Sequence, residues 1–393
     1  MVEIDLDAEH GTKTNPYVID SPQRWNAFAD DMGDTSQGIT NYGKDKYFVL
    51  ADDLDFLNTA FKPVPRFEGT FYGLGHTISN VSYDSNKDHM GLFKMTFGNI
   101  LVADVNLINY SYSNIQLVGG IVGVALPTSS YKIACRFLNC HTQGEIIRQN
   151  NGTDFKAGGI IGHFANQYVE SELLIYRCST KVDYQFTEAN LPYEAGFGPL
   201  VGQILQKAKT TILDCYGEIN VDIKSIAKIG YHAAFVPVVN QITQPLRLEN
   251  CAGKIRVNGN SNVASGLLKN TNSIIGMTNN GSSLITPSVI IKDVYVVGEA
   301  EQGGVVYNAY PHTTGSVNNT YFGNPTFSAS NVYYAGSGSS MFPLNSDYIS
   351  NTKLTNASTK VSVSQLWSNA KAATAFSSNV WTNKNAIGDT YSV

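Results

Sequence analysis

The segment Phe67-Glu68-Gly69-Thr70-Phe71-Tyr72-Gly73-Leu74-Gly75-His76-Thr77-Ile78-Ser79-Asn80-Val81 joins a glycine-punctuated turn to a strand, Thr77 to Tyr83. Within that strand stands a couplet, Asn80-Val81, of an acid or amide followed by a small apolar residue. The couplet returns as Asp104-Val105, Asn139-Cys140, Asp214-Cys215, Asn250-Cys251, Asp293-Val294 and Asn331-Val332, with Arg177-Cys178 filling the remaining slot. Successive intervals are 24, 35, 38, 37, 36, 43 and 38 residues. A repeat of this length and fixed phase denotes stacked units rather than one mixed core.

A second series runs in step. Gly91-Leu92-Phe93, Gly119-Gly120-Ile121-Val122-Gly123, Gly158-Gly159-Ile160-Ile161-Gly162 and Gly198-Pro199-Leu200-Val201-Gly202 are short apolar runs bracketed by glycine. Weaker copies follow at Ala234 to Val238, Gly266 to Leu268 and Gly303 to Val306. Each repeat thus holds at least two short strands and cannot bury its apolar face alone. The expected fold is all-β: a parallel β-helix of about eight coils, right-handed as parallel crossovers almost always are. At ~4.8 Å per coil, its rod is roughly 34 Å long before caps. One inward column should hold Val81, Val105, Cys140, Cys178, Cys215, Cys251, Val294 and Val332, with the residue before each at a coil corner.

On these residues the chain resembles the GLUG-motif bacterial surface β-helix family, shared with regions of IgA-cleaving metallopeptidases. Pro16 to Ile19 with Trp25 to Ala29 is similar to that family's opening strand and capping helix, and Tyr47 to Asp55 to its Leu-x-x-Asp-Ile-Asp-Leu strand. Phe67 to Ile78 resembles its Phe-x-Gly-x-Phe-Asp-Gly-Asn-Gly-His-Thr-Ile signature, except at Tyr72 and Leu74. Gly91 to Phe93 and Phe376 to Trp381 match two further blocks, but the chain lacks the usual final Tyr-Pro-x-Leu. The resemblance implies a fold and no particular function, since the motif occurs on adhesins and enzymes alike.

The sequence divides into an N-terminal arm (1–15), a cap (16–66) with a helix over 22–33 and opening strands, coils over 67–336, and a C-terminal linker and cap (337–393). Ser21-Pro22 reads as helix cap and first-turn proline, with Trp25, Phe28 and Met32 on one face. Ala60 to Arg66, with Pro63 and Pro65, reads as a connection outside any ladder. A second short helix is expected over 362–373, and polar insertions at 124–134, 148–156, 185–196 and 270–290.

Composition narrows the function. The net charge is -5 and 15% of residues are charged. Without a dense cationic surface, nucleic-acid binding is not expected. No basic-then-apolar leader and no apolar run of membrane-spanning length occurs; with Met1 present, the expectation is export without a cleaved signal. The five cysteines read as reduced packing residues, and no cysteine or histidine spacing predicts a metal. Neither a nucleophile elbow nor a phosphate loop appears, so no cofactor and no catalytic residue is assigned.

Carboxylates near the repeated strands are Glu145, Asp183, Glu218, Asp222, Glu299 and Glu301. Asp183 shares Glu145's offset from its couplet, so the two could be neighbours as a glycosidase requires; the plainer reading is a solvated surface. Asp52-Asp53-Leu54-Asp55 lacks the glycine turn of a calcium loop. Of 22 tyrosines, Tyr110, Tyr112, Tyr193, Tyr307, Tyr310, Tyr333 and Tyr334 are the candidate ligand contacts, as rings with a hydroxyl handle. The function expected is a non-enzymatic structural and recognition protein: a bacteriophage virion fibre, spike or capsid-decorating protein contacting a surface glycan or receptor. The alternatives are a secreted bacterial surface adhesin and a β-helix polysaccharide lyase or hydrolase. Ile4 and Leu6, alternating with acids, are expected to anchor the arm by strand addition to a larger assembly. A homotrimer is the symmetry expected of a projecting rod.

Overall fold

In the computed structural model, the described residues are 10–33, 43–84, 89–126, 132–149, 155–164, 170–187, 195–205, 207–223, 231–233, 235–240, 243–259, 275–278, 288–302, 305–307, 326–335 and 358–360. They form a nearly all-β parallel solenoid with one short helix, its strands in sheets of 19, 5 and 7.

Each central coil contributes four strands. Ile100–Ala103, Ala134–Leu138, Ser171–Tyr176 and Ala208–Leu213 stack into a first ladder. Asn106–Ser113, His141–Arg148, Ser179–Phe186 and Tyr216–Ile223 form a second. The third holds Leu117–Gly119, Lys156–Gly158 and Gly196–Gly198, and the fourth Val122–Ala125, Ile161–Phe164 and Val201–Leu205. Leu246–Gly259 and Ser288–Gln302 each run through the first two ladders as one long strand.

One residue turns the chain between the first and second ladders, and this explains the couplet. Asp104, Asn139, Arg177, Asp214, Asn250 and Asp293 have φ of 55, 50, 54, 54, 55 and 52°. Asn and Asp tolerate this left-handed conformation best among residues with a side chain. The following residue then points inward: Val105, Cys140, Cys215, Cys251 and Val294 are wholly buried, and Cys178 is nearly so. All five cysteines are free and buried. Val332 lies in register with Val294 on the backbone.

Val81 does not belong to this column. Thr77 pairs with Asn106 and Ser82 with Ser111, which sets His76, not Val81, level with Val105. Val81 stands level with Tyr110, behind the bulge where Asn80 (φ 58°) and Asn109 (φ 54°) both turn left-handed. The couplet chemistry marks any left-handed corner, and the first coils have two.

The glycine runs fall where the third ladder meets the fourth. There the coils approach so closely that a Cβ on Gly159 would collide with the Pro199 carbonyl and with Thr180. Val305–Tyr307, in the last glycine copy, pairs antiparallel with the end of Ser288–Gln302 and so forms a hairpin instead of a coil strand.

The helix spans Pro22–Asp31, two residues short of its expected end, with Ser21 Oγ accepting from Arg24 N–H at 3.3 Å. Its face of Trp25 and Phe28 is fully buried. Trp25 packs against Phe61, Phe71 and Phe93, and Phe28 lies 4.8 Å from Phe48. Ahead of residue 67, Tyr17–Ile19 and Tyr47–Leu50 join the first ladder in register. Tyr47 to Asp55 is split into Tyr47–Leu50 and Leu54–Asp55. Val64–Arg66 is a strand after all, pairing with Phe93 and Met95 at the edge of the fourth ladder. An edge position leaves Pro65 no partner that would require its missing N–H. The expected helix over 362–373, most of the C-terminal cap, much of the four insertions, and Ile4 and Leu6 lie outside the described residues.

Candidate functional site

The second ladder carries the polar chemistry. Along Ser179–Phe186, Thr180, Val182, Tyr184 and Phe186 are buried, so Lys181, Asp183 and Gln185 face outward by strand alternation. Parallel register then lines up outward residues from successive coils. Glu145, Asp183, Asn220 and Arg256 form one row, continued on the backbone by Glu299. Gln143, Lys181, Glu218 and Lys254 form the row on one side. Ile147, Gln185 and Asp222 form the row on the other, continued on the backbone by Asn258 and Glu301. All six carboxylates noted in the sequence therefore belong to this one ladder.

Their hydrogen bonds tie the coils together. Ser111 Oγ donates to Glu145 Oε1 at 2.7 Å, and Gln185 Nε2 to Oε2 at 2.9 Å. Asn220 Nδ2 donates to Asp183 Oδ1 at 2.8 Å. Glu218 is only 5% exposed; it accepts from Tyr216 OH at 3.0 Å and lies 4.0 Å from Lys254 Nζ. Lys181 is its register neighbour on the other side. The result is a fixed lattice of mixed donors, acceptors and charges repeating at ~4.8 Å.

Glu145 and Asp183 are register partners on adjacent coils, the kind of carboxylate pairing a glycosidase needs. Both oxygens of Glu145, however, already accept from the scaffold. Nearer the corner, His141 Nδ1 lies 2.6 Å from Ser179 Oγ. Burial pulls the His141 pKa down while the Asp104 charge pushes it up. Ser179 is 1% exposed, so its hydroxyl is not presented to a substrate. Among the described residues, no group of three or more His, Cys, Asp or Glu could hold a metal ion. No described helix is long and apolar enough to cross a membrane.

Two of the candidate tyrosines, Tyr110 and Tyr112, are corrected. Tyr110 and Tyr112 are each 1% exposed, their rings 4.9 Å apart inside the solenoid. Desolvation raises both phenol pKa values. They lie on inward positions of Asn106–Ser113 and offer no face to a ligand. Tyr333 and Tyr334 are register partners of Tyr295 and Val296, and Tyr307 ends the hairpin strand. The side chains of those three, and Tyr193 and Tyr310 altogether, lie outside the described residues. Asp53 and Asp55 serve the scaffold: Asp53 accepts from Thr77 N–H at 2.8 Å, and Asp55 from Asn80 at 2.7 Å.

Sequence reasoning missed Asn220, Arg256, Lys181 and Gln185 as site residues. The signal was present, since Glu145, Asp183, Asn220, Arg256 and Glu299 all fall five residues after the column residue of their coil. Searching for carboxylates alone concealed a row whose members change chemistry from coil to coil.

Comparison with protein-family models gives no match, GLUG included, and comparison with curated proteins gives none. Among solved structures, the chain is similar to a "putative immunoglobulin A1 protease from Bacteroides ovatus". The TM-score is 0.46 at 17% identity, over 81% of this chain and 85% of that one.

Proposed function

We propose that this protein is a non-enzymatic structural and recognition protein: a rigid, right-handed solenoid of about eight coils, with the Pro22–Asp31 helix as its lid. Its outward second-ladder rows meet a surface glycan or receptor. The observation that carries this reading is the lattice around Glu145, Asp183, Gln185, Asn220 and Lys254. Its polar groups are held in place by one another across coils, so little side-chain freedom remains to be lost on binding. Sugar hydroxyls, which both donate and accept, complement such mixed rows. Display on a bacteriophage virion is the setting we favour, and a bacterial surface adhesin of the GLUG type comes second.

A carbohydrate-active enzyme is a separate reading, favoured by the adjacency of Glu145 and Asp183. Binding of the wild type and of Asn220→Ala to a panel of bacterial surface polysaccharides tests the recognition reading. Retention of a polysaccharide by the wild type and its loss in a folded Asn220→Ala protein is the expected result. No binding across the panel, or equal binding by both, counts against it.

A further inference from the structure

The corner ladder contains one residue that its own chemistry disfavours. Of the eleven described non-glycine residues with positive φ, nine are Asn or Asp, and Leu74 and Arg177 are the exceptions. Leu74 lies in the turn between Gly73 and Gly75, whereas Arg177 interrupts the row of Asp104, Asn139, Asp214, Asn250 and Asp293. It holds φ at 54° without the short polar side chain that suits this conformation. It also forfeits a link between coils. Asn139 bonds to Asp104 and Asn250 to Asp214, but among the described residues no such bond joins Arg177 to either neighbour. A backbone outlier kept at this cost marks a position where function outweighs stability.

The side chain is held open to solvent. Its guanidinium lies 5.0 Å over the Tyr176 ring, a contact that steadies the group by its face and leaves its N–H donors to a partner. Arg177 is exposed, and among the described residues no carboxylate stands within ion-pair distance of it. The arginines on the neighbouring strands differ: Arg136 lies 3.7 Å from Glu172, and Arg247 2.7 Å from Glu249. The next corner acid, Asp214, accepts from Asn250. Lys181, four residues further along the same coil, likewise has no ion pair among the described residues. Its register neighbour Glu218 is engaged by Tyr216 and Lys254.

We infer that Arg177 reads an anionic group, a carboxylate or a phosphodiester, on the glycan that the second-ladder rows meet. This rests on the recognition reading given above and narrows its ligand to an acidic polysaccharide. A guanidinium fork offers either oxyanion two parallel donors, which a lysine in its place could not. Seating over Tyr176 reduces the ordering cost of binding. Lys181 adds positive potential on the same coil, while the exposed Asp183 two residues beyond limits the ligand to a polymer with spaced acidic groups.

The test compares full-length wild type, Arg177→Asn and Arg136→Asn for retention of a panel of bacterial surface polysaccharides. Uronic-acid polymers are tested before and after reduction of their carboxylates to alcohols. Arg177→Asn restores a residue that the corner favours, so loss of its binding is not loss of its fold. Acidic polymers should bind it roughly tenfold or more weakly than wild type, the worth of a charge-assisted hydrogen bond. Neutral polymers should bind both equally, and Arg136→Asn should match wild type throughout. Carboxyl reduction should erase the difference between wild type and Arg177→Asn where a carboxylate is read; a difference that survives it assigns a phosphodiester. Acidic polymers held equally by wild type and Arg177→Asn, or lost equally by both variants, overturn the proposal and leave the recognition reading standing. Retention of neutral polymers alone does the same, and retention of none overturns both.

Discussion

Asn139 donates its side-chain amide to the Asp104 carboxylate of the preceding coil at 2.8 Å, and both residues hold a left-handed backbone. Asn250 and Asp214 repeat the contact at 3.0 Å. The corner is thus a ladder of its own, in which one residue type supplies both the turn and the bond to the next turn. Arg177 breaks it, keeping φ at 54° while its guanidinium lies over the Tyr176 ring at 5.0 Å.

Arg177→Asn should therefore stabilise the protein. A side chain other than Asn or Asp costs about 1–2 kcal/mol in this conformation, so a gain of about 1 kcal/mol is expected, read as a higher denaturant midpoint with unchanged slope. Asn139→Val should lose at least as much, because it adds β-branch strain and removes the bond to Asp104.

The cysteine column predicts a steep dependence on polarity. Cys215 is wholly buried, with Sγ 3.0 Å from the Leu213 carbonyl, and burial raises its thiol pKa. Cys215→Ala should cost about 1 kcal/mol for the small cavity. Cys215→Asp should cost about 4 kcal/mol or leave the chain unfolded, since a carboxylate there has no cationic partner in the column. Equal melting temperatures for the two variants would show that the column is not interior.

Gly144 is matched to one ring. A Cβ at this position would press on the Tyr110 backbone carbonyl oxygen and lie 2.5 Å from the ring atoms Tyr110 Cδ1 and Cγ. Gly144→Ala should destabilise by about 1–3 kcal/mol. In a Tyr110→Ala background the same change should cost about 1 kcal/mol less, as contacting residues are non-additive. Additive losses in a double-mutant cycle would contradict the packing.

Stability should fall on mild acidification through His141. Its folded pKa lies below the ordinary value because burial disfavours the charged ring. The unfolded chain therefore binds the proton first as pH drops below about 6.5. The native state loses stability from there down to the folded pKa, and is unaffected by this group above pH 7. His141→Asn should flatten that part of the stability–pH curve, while a slope identical to wild type would assign it to other groups.

How far the sequence foretold this structure depended on what each signal physically encodes. The couplet phase encodes a left-handed corner followed by an inward residue, and it gave the ladder from Val105 to Val294 correctly. Val81 went astray because a bulge makes the same chemical demand as a corner. Tyrosine encodes both burial and recognition: Tyr110 and Tyr112 have apolar bodies that fill the interior, with Tyr112 OH reaching toward the Gly120 carbonyl at 3.5 Å. The polar rows were hidden because residues some 37 apart become neighbours only through register, and no local pattern names them. Pro65 read as a breaker because propensity carries no information about which strands lie at an edge.

The central claim is that the lattice around Asp183 binds without turning over its ligand. Incubating the wild type and Asp183→Asn with each polysaccharide that the wild type retains, and following reducing ends and unsaturated sugars over time, tests it directly. The account predicts no product from either protein and weaker retention by Asp183→Asn, which loses the carboxylate charge of the group that accepts from Asn220. Product released by the wild type and abolished by Asp183→Asn would contradict it and establish the Glu145–Asp183 pair as catalytic.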